Sequence, residues 1–306
     1  MNFALCILLY GFVLAWLLPP VLEKVTRSGR NPRLSVAVWL TAVGCALAAW
    51  MAASVNVMAE LLIKHAALPA QLCVDMFLAL NHFGWRGHVV FVASALLVLG
   101  VSILIAKRVF LTLRRFRERS SEISREARIL GSVTEHPGVF LIQADQPAAY
   151  CVAGPPHAVV VSTGAVARLK ETELAAVLAH ESAHLSSRHP QIKMTLRALA
   201  SSVPRVPLFR AAAATVEFLV EMCADDRAAR SHGRDALLDS LLVFTAPYRL
   251  SPGGALGVAD QGFTLRASRL STSGGGVGET LNRVVLLALM ALIISAPAVV
   301  IALCQT

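Results

Sequence analysis

The sequence predicts an integral membrane protein, mainly α-helical, with four transmembrane helices and one water-exposed α+β domain between spans three and four. Three observations carry that reading. The composition is 56% hydrophobic and 15% charged, against about 45–50% and about 25% in ordinary soluble domains, and the mean hydropathy is +0.64. Four stretches are apolar over about 20 residues, the length that crosses a bilayer. The basic residues between them alternate in density, as they do in loops on opposite sides of a membrane.

The first stretch covers residues 3–22 and meets Pro19 and Pro20 near its end. It has no basic segment ahead of it and no Ala-x-Ala-like exit, so it is expected to be an anchor and not a cleaved signal peptide. The second covers residues 34–63 and is long enough to tilt. The third covers residues 88–106, and the fourth runs from Val284 to about Leu303. Residues 1–106 are therefore expected to form a membrane domain and residues 107–282 the water-exposed domain. Residues 283–306 are expected to hold the fourth span and a short C-terminus.

Lys24, Arg27, Arg30 and Arg33 follow the first span, but only Lys64 and Arg86 mark the loop after the second. Lys107, Arg108, Arg114, Arg115, Arg117, Arg119, Arg125 and Arg128 follow the third. Lys and Arg concentrate on the cytoplasmic side. The N-terminus is then outside the cell membrane, residues 23–33 inside, 64–87 outside and 107–282 in the cytoplasm. The net charge of +9 invites a nucleic-acid reading. However, Glu118, Glu122 and Glu126 interleave with the arginine run and the run abuts a span. Topology and headgroup contact are expected from it, and direct nucleic-acid binding is not. The six cysteines stand singly, which implies neither a disulfide framework nor a cysteine-based zinc site.

Within residues 107–282, strand signals occur at Val139–Ile142, Ala149–Val152 and His157–Val161, with Asp145-Gln146-Pro147 and Gly154-Pro155-Pro156 as turns. They predict a small antiparallel sheet. A helix rich in Ala and Leu follows, opened by Glu171 and Glu173, whose charges suit a helix N-terminus. A later helical stretch is expected from Leu208 to about Tyr248 with a break at Gly233. Residues 251–278, rich in Gly and Ser, are expected to be a mobile loop.

The first of these helices carries His180-Glu181-Ser182-Ala183-His184. Residues four apart lie one above the other on a helix, so the two imidazoles can converge on one metal while Glu181 flanks them. Zinc peptidases use that arrangement, with the Glu as acid/base. A catalytic zinc site normally needs a third protein ligand. Ser187 and Pro190 exclude the metzincin spacing. His189 is off the metal-facing stripe of a straight helix and precedes a proline. An acid on a later helix remains, and Glu221-Met222-Cys223-Ala224-Asp225 supplies one. Glu221 can ligate while Asp225, one turn on, holds a ligating His by its other nitrogen. Cys223 points to the opposite side. The competing reading makes Glu221 and Asp225 surface partners of arginines such as Arg227. Glu221 follows an apolar run, where a buried carboxylate needs a compensating cation. Tyr150 and His232 are candidate oxyanion stabilisers. His232 lies about 16 Å from Glu221 along a straight helix, and both are read as structural.

The segment Glu173 to His184, the Glu221 to Asp225 run, Tyr150-Cys151 and Val159 to Gly164 together resemble the BlaR/MecR-type membrane metallopeptidases. The resemblance implies a gluzincin-like zinc-peptidase domain between spans three and four, holding one zinc ion through His180, His184 and Glu221, with Glu181 catalytic. The sequence ends at Thr306, so the likeness is to the short form without a penicillin-binding sensor. By the same resemblance the substrate is a cytoplasmic protein such as a BlaI-like repressor. A housekeeping protease of the HtpX/CaaX type is the alternative, and a non-catalytic zinc-holding signalling scaffold is the alternative of another class.

Overall fold

The computed structural model describes residues 3–65, 85–154, 157–249, 258–272 and 276–305. Most of the expected outer loop at 64–87 lies outside the described residues. Helix α1 (Phe3–Phe12) passes through a π-helical turn (Val13–Leu17) into α2 (Leu18–Thr26). The helix runs through Pro19-Pro20 and ends at Thr26, a turn past the end expected near Leu22. The prolines occupy the first turn of α2, where a missing N–H has no helical acceptor to deprive, and the wide turn ahead of them absorbs the mismatch. Helix α3 is Pro32–His65 and α4 is Trp85–Leu130. At 46 residues, α4 is about 70 Å long and carries the arginine run on the same rod as the third span, across the boundary expected at residue 106.

Among the described residues, four helical segments, Cys6–Thr26, Pro32–Asn56, Leu96–Leu130 and Val277–Val299, are long and apolar enough to cross a membrane. The last belongs to α11 (Val277–Gln305), numbered after the helices of the domain described below. Along the third, Leu96, Leu97, Ile103 and Leu104 are exposed, a surface suited to lipid. Polar side chains tie the spans together. The Tyr10 hydroxyl donates to the Ile293 carbonyl at 2.6 Å, Trp39 Nε1 to Thr26 Oγ1 at 3.2 Å, and Trp50 Nε1 to Ser102 Oγ at 3.0 Å.

After α4 come β1 (Ser132–Val133), β2 (Val139–Ile142), β3 (Ala149–Val152) and β4 (Ala158–Ser162). The sheet order is β1-β2-β4-β3, with β4 parallel to β2 and antiparallel to β3. The sheet is therefore mixed, where antiparallel pairing was expected. Ala-Val-Val-Val-Ser of β4 is buried at every position, and a strand apolar on both faces belongs in the middle of a sheet. β3 is left on an edge.

Among the described residues, six helices complete the domain: α5 (Thr163–Arg168), α6 (Glu171–Ser186), α7 (His189–Ser202), α8 (Pro207–His232), α9 (Arg234–Arg249) and α10 (Val258–Ser271). Ser162 Oγ caps α5 by accepting from the Ala165 N–H at 3.1 Å. Glu173 closes the start of α6 by accepting the Lys170 N–H at 3.0 Å. Gly233, with φ +87°, separates α8 from α9. Helix α10 corrects the loop expected over 251–278. Its residues Leu270, Arg266 and Arg269 are drawn against α8 and α9, by apolar burial and by ion pairs.

Helix α8 joins the domain to the spans. One core contains Leu22, Trp39 and Leu286 from the apolar helices and Leu196, Leu208, Leu219 and Val220 from the domain. Gly29, between α2 and α3, adopts φ +59°, and a Cβ there would overlap Met222 Sδ. The turn after the first span is thus seated on α8, next to Glu221. A second core packs Val159, Val161 and Val177 between β4 and α6.

Candidate metal centre

Helix α6 turns Ala176, Val177, His180, Ala183 and His184 inward, a stripe spaced as one helical face. The small Ala176 and Ala183 let α8 pass close, and α8 answers with Glu221 and Asp225. His180 Nε2 and His184 Nε2 are 3.1 Å apart. Glu221 Oε2 lies 3.5 Å from His180 Nε2 and 3.4 Å from His184 Nε2. Tetrahedral ligands at about 2.0–2.1 Å from a zinc ion stand about 3.3 Å from one another, so these three donor atoms fit one face of such a site. Among the described residues, His180, His184 and Glu221 are the side chains whose ligand atoms lie close enough together to hold a metal ion.

The surrounding groups hold the donors in place. His180 Nδ1 is buried without a well-aligned hydrogen bond, and its nearest acceptor is Asp225 Oδ1 at 3.1 Å. Asp225 is gripped from behind by Arg266, whose Nε and Nη2 donate to its two oxygens at 2.7 and 2.6 Å. Glu221 turns Oε2 to the histidines, while Oε1 accepts from Lys193 Nζ at 3.4 Å. His184 Nδ1 faces His189 Nδ1 at 3.0 Å. Cys223 is buried in the core shared with the spans, away from the donors.

Burial works against charge on all these groups, but the carboxylates and cations mostly outweigh it. Burial lowers the His180 pKa, and the hydrogen-bonding and charge of Asp225 and Glu221 reverse that, raising it to about 9. Burial raises Glu221, yet its contacts to His180 and His184 hold it well below the usual carboxylate range. Asp225 is likewise held low, chiefly by Arg266 against burial. The cluster thus concentrates negative charge around the imidazole nitrogens and favours a cation there. His189 is lowered to about 4, by burial and then by the positive field of His184. As a neutral ring it can accept from His184 Nδ1–H, which leaves the lone pair on His184 Nε2 facing the donors.

Glu181 leaves the donor set and lines a cavity of about 270 Å³ with His180, Glu221, Arg266 and the apolar Val177, Leu241 and Phe244. Burial raises its pKa, which suits a carboxyl group that must both take up and release a proton. The Cys151 thiol of β3 hydrogen-bonds Glu181 and is pushed up to about 12 by burial and that carboxylate. Since Cys151 points to the site, the neighbouring Tyr150 points away from it and is 40% exposed. His232 is at the exposed end of α8. Neither of these two lines the cavity.

Three participants were not legible beforehand. Arg266 lay in the expected loop. Lys193 has no motif around it. Straight-helix geometry puts His189 off the metal-facing stripe, but α6 ends at Ser186, and Arg188 at φ 56° turns the chain so that His189 folds back onto His184.

No curated protein matches the chain. A solved structure similar to it is that of Ste24p from S. mikatae, at 15% sequence identity and TM-score 0.30, covering 65% of this chain and 61% of that one. The chain thus spans less than two thirds of that protein's length. Residues 113–231 match Peptidase family M48, a metallopeptidase family, and the match does not reach the BlaR/MecR subtype. The matched segment contains all five residues singled out in the sequence, His180, Glu181, His184, Glu221 and Asp225, and among the described residues the chain also has four membrane-length apolar helices.

Proposed function

We propose that this chain is a zinc-dependent membrane endopeptidase that hydrolyses peptide bonds in cytoplasmic protein segments. The observation that carries the reading is the convergence of His180 Nε2, His184 Nε2 and Glu221 Oε2 within 3.5 Å of one another, with Glu181 on the wall of the adjoining cavity. One zinc ion fits the donor set by its spacing and by its mixture of nitrogen and oxygen ligands. When bound it would polarise the scissile carbonyl and acidify water. Glu181 takes the proton of the attacking water and returns it to the leaving amine. Asp225, clamped by Arg266, fixes the His180 ring, and His189 fixes His184. An extended peptide can add to the edge of β3, beside α6, with a side chain in the cavity lined by Val177, Leu241 and Phe244.

In this reading the four apolar helices cross the cell membrane, with the N-terminus outside and the domain in the cytoplasm. The distribution of Lys and Arg supports that topology. The resemblance stated from sequence supports a regulatory role, with a BlaI-like repressor as substrate. The family match is equally compatible with a housekeeping protease of the HtpX/CaaX type. Proteomic comparison of cells carrying wild type and Glu181→Gln separates them. Loss of one repressor fragment supports the first, and loss of many membrane-protein fragments the second.

Purified Glu181→Gln is expected to keep its zinc and to lose about 10²–10⁴-fold in peptide cleavage. Zinc content by mass spectrometry and cleavage of an unfolded test protein measure both. Unchanged cleavage would remove Glu181 from the mechanism. No cleavage by wild type, with zinc bound and the cellular phenotype of Glu181→Gln normal, would leave the scaffold reading.

A further inference from the structure

A second cavity, of about 1320 Å³, opens on the other side of α8 from the metal centre. Its walls come from the turn between α2 and α3, the C-terminal half of α8, α10 and the start of α11. Six arginines line it, Arg30, Arg33, Arg230, Arg234, Arg269 and Arg283, against two acids, Asp226 and Glu279. Asp226 is already neutralised, since Arg269 Nη2 lies 2.7 Å from its Oδ1. Arg234 donates to the Thr272 carbonyl at 2.7 Å. Among the described residues, Arg30, Arg33, Arg230 and Arg283 have no ion-pair partner. Like charges gathered without counter-charges repel one another, and an anion would relieve that.

The location identifies the anion. The first span ends at Thr26, the second begins at Pro32 and the fourth at Val277, so the cavity lies where three apolar helices reach the same membrane face. Asn31 and Asn282 tie these ends together, with Asn31 Nδ2 donating to Asn282 Oδ1 at 3.1 Å and Asn282 Nδ2 to the Val25 carbonyl at 3.0 Å. Below the arginines the wall turns apolar, with Leu34 and Ala37 from α3 and Leu287 from α11. A cationic rim over an apolar wall at a bilayer surface matches a molecule with a phosphate head and an acyl tail. Nucleic acid or an acidic peptide would leave the apolar wall unused.

We infer that this cavity binds the phosphate headgroup of an anionic phospholipid, and that the lipid steadies the metal centre through α10. The inference rests on the bilayer reading of the apolar helices. Helix α10 places Arg269 in the cavity, bound to Asp226, and Arg266 one turn earlier on Asp225 behind His180. A headgroup that fixes the cavity end of α10 therefore also fixes the clamp behind a metal-ligand histidine.

The test uses the full chain, purified in detergent and placed in nanodiscs of phosphatidylcholine with or without phosphatidylglycerol. Native mass spectrometry reads retained lipid, and zinc content reports an intact fold. Wild type is expected to retain phosphatidylglycerol over phosphatidylcholine. Arg230→Gln and Arg283→Gln should each weaken retention about fivefold, Arg230→Lys much less, all with zinc content unchanged. Peptide cleavage should rise with phosphatidylglycerol in wild type and lose that dependence in the double Gln variant. Equal retention of both lipids, an unaltered preference in the double variant, or displacement by millimolar inorganic phosphate or an acidic peptide would overturn the inference. A chain that leaves membranes at alkaline pH without detergent would overturn the bilayer reading as well. Zincless but lipid-selective protein would count against the peptidase reading alone.

Discussion

His189 lies behind one donor side chain, and Arg266 lies behind another while reaching the Glu221 donor oxygen only at 3.9 Å. His189 Nδ1 stands 3.0 Å from His184 Nδ1, so His189→Ala removes the group that fixes which nitrogen of His184 bears its proton. Orienting partners of this kind change metal affinity by about 10–100-fold. The expected outcome is a loss of that order in a zinc-buffer titration, with cleavage recovered at high zinc. A His189 that only fills space would lower the melting temperature and leave the zinc affinity alone. Arg266 has the larger structural stake. Asp225 is 1% exposed, and Arg266→Met would leave its carboxylate buried without the guanidinium that grips both its oxygens. Breaking one side of a buried pair costs about 3–5 kcal/mol. Adding Asp225→Asn to Arg266→Met should restore part of that in denaturant titrations, because the stranded charge is then gone. If the double variant is as unstable as the single, the pair is not what holds α10 to α8.

Helices α6 and α8 were legible in the sequence because each joins strong helix formers to a residue spacing that only a helix makes useful, His180 with His184 and Glu221 with Asp225. The break at Gly233 was legible for a similar reason, since its φ of +87° is a conformation glycine adopts without strain. Other elements depend on long-range packing and left little local trace. The mixed sheet arises from where β4 is inserted, which no alternation within Ala158–Ser162 encodes. Helix α10 was hidden by Gly- and Ser-rich flanks, and its role rests on ion pairs reaching residues 41 and 43 positions earlier. The turn at Gly29 is the element whose function the fold adds. A side chain there would adopt a left-handed conformation, costing about 1–2 kcal/mol, and would also push Met222, which is 1% exposed. Gly29→Ala is expected to lower the melting temperature by a few degrees and to reduce cleavage through the adjacent Glu221. Met222→Ala in the same chain should return the activity but not the backbone term. Unchanged melting and cleavage in Gly29→Ala would mean that the turn does not bear on α8.

At the scale of the whole molecule, the apolar helices and the helices of the candidate metal centre share one core, although composition divides them near residue 106. The core that surrounds Trp39 takes Leu22, Val38, Ala42 and Leu286 from the apolar helices, and Leu208, Phe209, Val216, Leu219 and Val220 from α8. Burying a large aliphatic or aromatic side chain contributes about 1.5–3 kcal/mol, and a whole domain has about 5–15 kcal/mol in hand. Stripping the spans from α8 re-exposes five such side chains, a loss as large as the entire stability. The metal centre cannot escape it, because Glu221 directly follows Val220 on the same helix. A fragment of residues 107–282 is therefore expected to be insoluble or to lack fixed structure, and to bind zinc no more tightly than an unfolded chain. Adding residues 1–56 as a separate chain in the same membrane should recover part of the fold, since α2 and α3 supply most of the missing wall. Circular dichroism and zinc stoichiometry of the purified species measure both outcomes. A soluble, helical fragment holding one zinc ion tightly would show that α8 is stabilised from the sheet side alone. The spans would then be an anchor for the peptidase and not part of its core.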